Sequence, residues 1–314
     1  MSEPLVHIRN FRMDFGSQTV LRDLSFDVNA GETFGFLGSN GSGKTTTLRA
    51  LLGIYQATAG TLHIAGKAFE PRDGVRLGYL PEERGLYKKE SVLDVMVYFG
   101  MLKGLSRQGA TSRSLAYLER VSLAAKASTR VDKLSGGQQQ KIQLGVTIMN
   151  DPELLILDEP TQGFDPVNRR LLMDIIEDQK RSGATVIMVT HQMEEVERLC
   201  DRVILLKDGV AEAYGTIEDV QDLYGGTIIR LHHSGTLPAS DLYDVTMAEH
   251  DYAELTPKAG TDETDILRDL VHQGVEVRSF TTARTSLEEI FIKVYGEQDL
   301  GENTLSEQNL PVGA

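Results

Sequence analysis

Apolar and polar residues alternate in short runs over the first 30 positions: Leu5-Val6-His7-Ile8, Val20-Leu21, and Leu24-Ser25-Phe26-Asp27-Val28, with breaks at Gly16 and Gly31. This period of two predicts short strands of a small sheet. The pattern then changes to continuous apolar runs, Thr33-Phe34-Gly35-Phe36-Leu37, Val75 to Leu80, Leu154 to Leu157 and Thr185 to Thr190, as strands buried on both faces of a parallel sheet require. Helical spacings lie between them. One helix opens near Leu48 and stops at Gly53, and another runs from Asp165-Pro166, an N-cap followed by an N1 proline, to about Gly183. Between these strands, Ser91 to about Leu123 carries Val92, Val95, Met96 and Phe99 at helical intervals, and a further apolar helix runs through Leu144 and Ile148. Gly60 to Gly66 reads as a strand between glycine turns, and Val203 to Tyr214 as a hairpin about Asp208-Gly209.

From residue 226 the pattern changes again. Strand-like runs at Ile228-Ile229-Arg230-Leu231, Tyr243 to Met247 and Val275 to Phe280 surround a helix marked by Ile266, Leu267, Leu270 and Val271. A closing helix starts at a capping box, Ser286 with Glu289, and carries apolar residues at 287, 290, 291 and 294. Residues 226–296 therefore predict a separate small α+β domain, and the polar residues 297–314 a disordered tail.

Composition narrows the class. In 314 residues, 40% are hydrophobic and 25% charged, ordinary for a globular chain with one large domain and a smaller one. No apolar run is long enough to span a bilayer, and no secretion signal is expected at the N-terminus. The single cysteine, Cys200, permits no internal disulfide and fits a reducing compartment. Net charge is −14, and residues 226–314 hold 6 Lys+Arg against 16 Asp+Glu. Nucleic acid is thus not an expected partner, since binding its phosphates needs clustered cations.

The candidate chemistry sits at strand ends. Gly38-Ser39-Asn40-Gly41-Ser42-Gly43-Lys44-Thr45-Thr46 joins a strand to a helix start, where backbone N–H groups and the helix N-terminus attract phosphate oxygens. In this reading Lys44 bridges the β- and γ-phosphates and the Thr45 hydroxyl faces Mg²⁺. Phe15 has the chemistry to stack on a purine. Asp158-Glu159 closes the Leu154 to Leu157 strand: Asp158 would hold Mg²⁺ through water, and Glu159 would polarise the water attacking the γ-phosphate. His191 lies at the carboxyl end of the next strand, where ligands of open α/β sheets bind, placing a hydrogen bond to the γ-phosphate within reach. Leu134-Ser135-Gly136-Gly137-Gln138 precedes another helix and makes a second anion-facing end. Since one phosphate loop is already present, this end is most useful if it closes on a nucleotide held by another subunit.

With these motifs in this order, residues 4–225 resemble the ATP-binding cassette (ABC) family; the Leu-Ser-Gly-Gly-Gln stretch is the most specific of them. The resemblance implies a head-to-tail dimer, homo- or heteromeric, holding two MgATP. Each nucleotide would lie between Gly38 to Thr46 of one subunit and Ser135 to Gln138 of the other. It also implies Phe15 as the adenine-stacking aromatic, Glu159 as catalytic base, and Asp165 in the cross-dimer contact. Two positions depart from the family pattern. Glu82, after Tyr79-Leu80-Pro81, stands where glutamine is usual; it can approach Mg²⁺ but adds negative charge beside the γ-phosphate. Gln162-Gly163-Phe164 replaces Ser-Gly-Leu before Asp165, with little effect on chemistry expected.

The expected fold is α/β: a P-loop NTPase-type mixed sheet core with an antiparallel β subdomain and an inserted helical subdomain, plus a small C-terminal α+β domain. The expected domains are 1–225, with the helical subdomain at about 84–150, then 226–296 and the tail 297–314. The Tyr-Leu-Pro-Glu-Glu-Arg stretch and the Ser-Leu-Glu-Glu-Ile-Phe ending resemble the bacterial branch serving drug and small-molecule exporters. The implied function is ATP hydrolysis that powers a separate membrane permease from the cytoplasmic face. The alternatives are a soluble ABC ATPase acting on ribosomes or DNA, and an importer ATPase.

Overall fold

The computed structural model describes residues 4–70, 75–83 and 85–296. Arg84 of the exporter-like stretch and the expected tail at 297–314 lie outside the described residues. The chain forms two compact units, one running through Thr216 and the other starting at Ile217.

In the first unit, β1 (Val6–Phe15) and β2 (Gln18–Val28) pair antiparallel about the turn at Gly16, and β1 also pairs with β4 (Ala59–Ile64). These strands are 10 and 11 residues long, longer than the short strands the sequence suggested. Register shifts between Ile8 and Phe11 and again at Met13 interrupt strict alternation, so one continuous strand reads as several runs.

A six-stranded sheet has the order β5-β6-β7-β3-β8-β9. It comprises β3 (Thr33–Gly38), β5 (Leu77–Leu80), β6 (Leu154–Asp158), β7 (Thr185–Val189), β8 (Arg202–Lys207) and β9 (Val210–Thr216). All pairs are parallel except β8–β9, the hairpin, whose turn residues Asp208 and Gly209 both have positive φ, 48° and 77°. Two positive-φ residues are what a tight hairpin turn with right-handed strand twist demands. Every residue of β3, β6 and β7 is buried, which explains why these strands read as unbroken apolar runs. The core joins the two sheets: Phe11 and Phe26 of the antiparallel sheet meet Phe34, Ile187 and Ile204 of the other, with Leu48 of α1 (Lys44–Leu51). The Phe26 and Phe34 rings stack at 5.4 Å between centroids.

Between β5 and β6 the chain forms α2 (Val92–Leu102), α3 (Arg107–Arg120) and α4 (Gly136–Ile148). Each starts at a serine, Ser91, Ser106 and Ser135, whose side chain accepts a backbone N–H of the first turn. After β6 come α5 (Pro166–Arg181) and, behind β7, α6 (Met193–Leu199), a helix the sequence reading did not identify.

The second unit opens with α7 (Ile217–Tyr224), also unanticipated. Its antiparallel sheet has the order β11-β12-β10-β13, from β10 (Thr227–Ser234), β11 (Tyr243–Ala248), β12 (Tyr252–Pro257) and β13 (Glu276–Arg284). β12 adds a strand that its alternation, Ala253 and Leu255 buried, would have revealed. Ile229, Leu231, Tyr243 and Leu255 pack on Ile266 and Leu270 of α8 (Glu263–His272), and α9 (Leu287–Tyr295) starts at the Ser286–Glu289 capping box.

Candidate functional site

β3 delivers the chain to a glycine loop in which Gly38 and Gly43 leave no room for a side chain. Gly38 has φ 155°, and a methyl group there would come 2.5 Å from both Leu206 O and Ser42 Oγ. Gly43, at φ 107°, occupies the N-cap of α1, and a methyl group there would meet Leu21 Cδ2 at 2.8 Å. With glycine as its cap, α1 has no side chain bonded to its first-turn N–H groups, and those donors remain directed along the helix axis. Ser39, Thr45 and Thr46 are half-buried, Asn40 and Gly41 exposed. Ser42 is buried, and its hydroxyl has no partner. Lys44 Nζ folds over the loop, donating to Gly38 O at 2.7 Å and Ser39 O at 2.9 Å. Burial depresses the Lys44 ammonium, while Glu159, Asp158 and Glu82 act in the opposite sense.

Facing this lysine is a group of carboxylates. Asp158, the last residue of β6, is 2% exposed, and burial, followed by the charges of Glu82 and Glu159, pushes its carboxyl up to about 6. Glu159 follows with φ 49°, a left-handed conformation that costs a non-glycine residue free energy, and its N–H is fixed on Val189 O at 2.8 Å. His191, beyond β7, brings Nδ1 within 3.0 Å of Glu159 Oε2. The approach is a charge contact without hydrogen-bond alignment, since Oε2 lacks a directed donor. Glu159 nonetheless holds the His191 imidazole above its ordinary value of 6.5. Glu82 is exposed just past β5, and its charge reaches both Asp158 and Lys44.

Lys44, Glu82, Asp158, Glu159 and His191 thus form one electrostatic cluster at the carboxyl ends of β3, β5, β6 and β7, where ligands of open α/β sheets bind. Phe15, Ser135 to Gln138 and Asp165 stand apart, making their own contacts away from this cluster. Phe15, 45% exposed, contacts Tyr55 edge-on at 5.4 Å, and Tyr55 in turn accepts from Arg49 Nη1. Ser135 caps α4: its Oγ accepts Gln138 N–H, and Gln138 Oε1 accepts Ser135 N–H at 3.0 Å. Gly136 and Gly137 form the first turn behind that cap. Asp165 caps α5, its Oδ1 accepting the N–H groups of Val167 and Asn168 at 3.1 and 3.0 Å, and these bonds hold its carboxyl below the usual range.

Sequence reasoning missed Glu195 on α6. It is 1% exposed, accepts a hydrogen bond from Thr161 Oγ1 at 2.5 Å, and lies 3.6 Å from Arg169 Nε. Burial raises its carboxyl. The available signal was an acidic residue one turn before Leu199 on the buried face of an unrecognised helix.

Residues 21–162 match the family described as ABC transporter, and residues 215–295 match that described as ATP-binding protein DrrA1-3-like, C-terminal domain. The chain is 34% identical to the uncharacterized ABC transporter ATP-binding protein YhaQ of Bacillus subtilis, over 90% of this chain and 95% of the relative. It is 31% identical to the linearmycin resistance ATP-binding protein LnrL of the same organism, covering 93% and 98% respectively. The Nod factor export ATP-binding protein I of Burkholderia lata shares 38% identity over 70% of this chain and 76% of its own. Among solved structures, one described as the ATP binding subunit of an ABC transporter aligns with a TM-score of 0.65 and 29% identity, covering 70% of this chain and 93% of that one.

Proposed function

Because this chain belongs to the ABC transporter ATP-binding proteins, subunits that bind and hydrolyse ATP, we propose that it powers export of a drug or other small molecule through a separate membrane permease. Its relatives include a linearmycin resistance protein and a Nod factor export protein, and its second unit matches a DrrA-like domain. No helix among the described residues is long and apolar enough to cross a membrane. In this reading the chain sits at the cytoplasmic face through its permease. A cavity of about 330 Å³ lined by Tyr87, Glu90, Asp94, Val95 and Tyr98 is the docking place for a cytoplasmic helix of the permease.

The observation that carries the chemistry is the cluster of Lys44 with Asp158, Glu159 and His191. The uncapped N-terminus of α1 and the N–H groups of Gly38 to Thr46 hold the phosphates. Lys44 exchanges its loop carbonyls for β- and γ-phosphate oxygens. Phe15 stacks on the adenine. A Thr45 hydroxyl, the Asp158 carboxylate and the nearby Glu82 are hard oxygen donors that suit Mg²⁺, an ion that takes few protein ligands. Bound with ATP, that ion would offset charge on the β- and γ-phosphates. Glu159 holds the attacking water and takes its proton, and its left-handed backbone fixes the direction in which the carboxylate points. His191 pairs with Glu159 and donates toward the γ-phosphate. Two subunits close head to tail, so that Ser135 to Gln138 and Asp165 of one meet the nucleotide on the other.

Glu159→Gln is expected to lower ATP turnover by about 10²- to 10⁴-fold, the range for loss of a general base, while ATP affinity stays within severalfold. Steady-state phosphate release and equilibrium ATP binding check this on the purified full chain. Turnover within severalfold of the parent would remove Glu159 from the catalytic role.

A further inference from the structure

Phe164 makes a contact that its place in the sequence does not suggest. It lies in the turn that follows Glu159, with its N–H on Thr161 O at 3.2 Å, and its side chain is only 8% exposed. Gly137 lies against its ring. A methyl group on the Gly137 Cα would come 3.2 Å from Phe164 Cε1, 3.6 Å from Cδ1 and 3.8 Å from Cζ. The ring edge therefore rests directly against the backbone of the first turn of α4, where a Cβ would crowd it.

The same segment is held at two further points: Thr161 is tied to the buried Glu195 of α6, and Asp165 caps α5. Gly163, with φ 74°, provides the bend between Thr161 and Phe164. The stretch from Glu159 to Asp165 thus has its catalytic end on β7 and α6 and its far end on α4.

We propose that Phe164 is a positioning residue that sets the Ser135 to Gln138 turn in register with the Glu159 to Asp165 segment of its own subunit, so that the turn is correctly placed for the nucleotide of the partner subunit. The proposal rests on the head-to-tail reading above. It concerns the contact between two segments within one subunit, which that reading leaves unspecified. Its contact is with the first turn of α4, so ATP binding by a single subunit is not expected to depend on it.

The test uses the full chain carrying Glu159→Gln, with the ATP concentration that drives dimerisation read by light scattering after size exclusion. Adding Phe164→Ala is expected to raise that concentration by at least about tenfold, because small misplacements of positioned groups carry penalties of this order. Phe164→Leu, which keeps an apolar side chain over Gly137, is expected to restore most of the response. Binding of a fluorescent ATP analogue to the dilute single subunit is expected to change by less than about twofold in both. If Phe164→Ala does not fold by circular dichroism, Phe164→Val, also too short to cover Gly137, takes its place with the same expectation. Dimerisation of the double variant at the parent's ATP concentration would overturn the proposal, as would an equal loss of single-subunit ATP binding. If Glu159→Gln alone stays monomeric at saturating ATP, the head-to-tail reading fails and the proposal falls with it.

Discussion

The two glycine-bearing helix starts of the first unit look alike in sequence and are built differently. At α1 the N-cap is Gly43 in a left-handed conformation, with no side chain bonded to the helix donors and a lysine as the first helical residue. At α4 the N-cap is Ser135, and a reciprocal box with Gln138 already satisfies two of the N–H groups at that end. The first start keeps its donors for a ligand and places a cation among them. The second is a finished, rigid turn that keeps the helix dipole but has fewer donors to give. Under the proposed function this is a division of labour: one end would grip a nucleotide by itself, and the other would be a preformed surface presented to one.

Alterations that remove this asymmetry should differ in size. Lys44→Ala takes the loop lysine from the gripping end and should lower kcat/KM for ATP by at least about 100-fold, the usual loss when one transition-state charge donor is removed. Phosphate release at varied ATP checks it. A smaller effect is expected from pH. Under the proposed function Asp158, raised to about 6 by burial and by its carboxylate neighbours, must be ionised to serve Mg²⁺, so its protonation would remove the active form. As pH falls below about 6, kcat/KM should therefore drop by about tenfold per unit, and Glu82→Gln, by removing one repelling charge, should move that limb to lower pH. The smallest effect belongs to the capped end. Ser135→Ala opens the box and should cost about 1 kcal/mol of stability, seen as a lower midpoint in urea unfolding, with single-subunit ATP affinity unchanged.

Much of this was legible in the sequence because the decisive features are local. The glycine loop, the Leu154 to Glu159 strand and the serine that starts α4 each follow from neighbouring residues, whereas the caps Ser91 and Ser106, which divide one helical stretch into α2 and α3, were not read from it. What escaped depended on partners far along the chain. The length of β1 was hidden by bulges that only pairing with β2 reveals. The buried Glu195 gained its meaning from Thr161, 34 residues away, and Phe164 from Gly137 on a different helix. The coupling of Asp158 with Glu82 likewise depends on β5 lying beside β6, a pairing no local pattern encodes.

The central claim is that the two helix starts serve one nucleotide from different subunits, and mixing two inactive variants tests it most directly. Lys44→Ala destroys the gripping end but leaves the presented one, and Ser135→Arg does the opposite. When the two purified chains are combined, each mixed dimer contains one site with both ends intact. ATP turnover should then reappear in the mixture at well above the sum of the separate variants. A mixture as inactive as its components, under conditions where the chains do pair, would contradict the account.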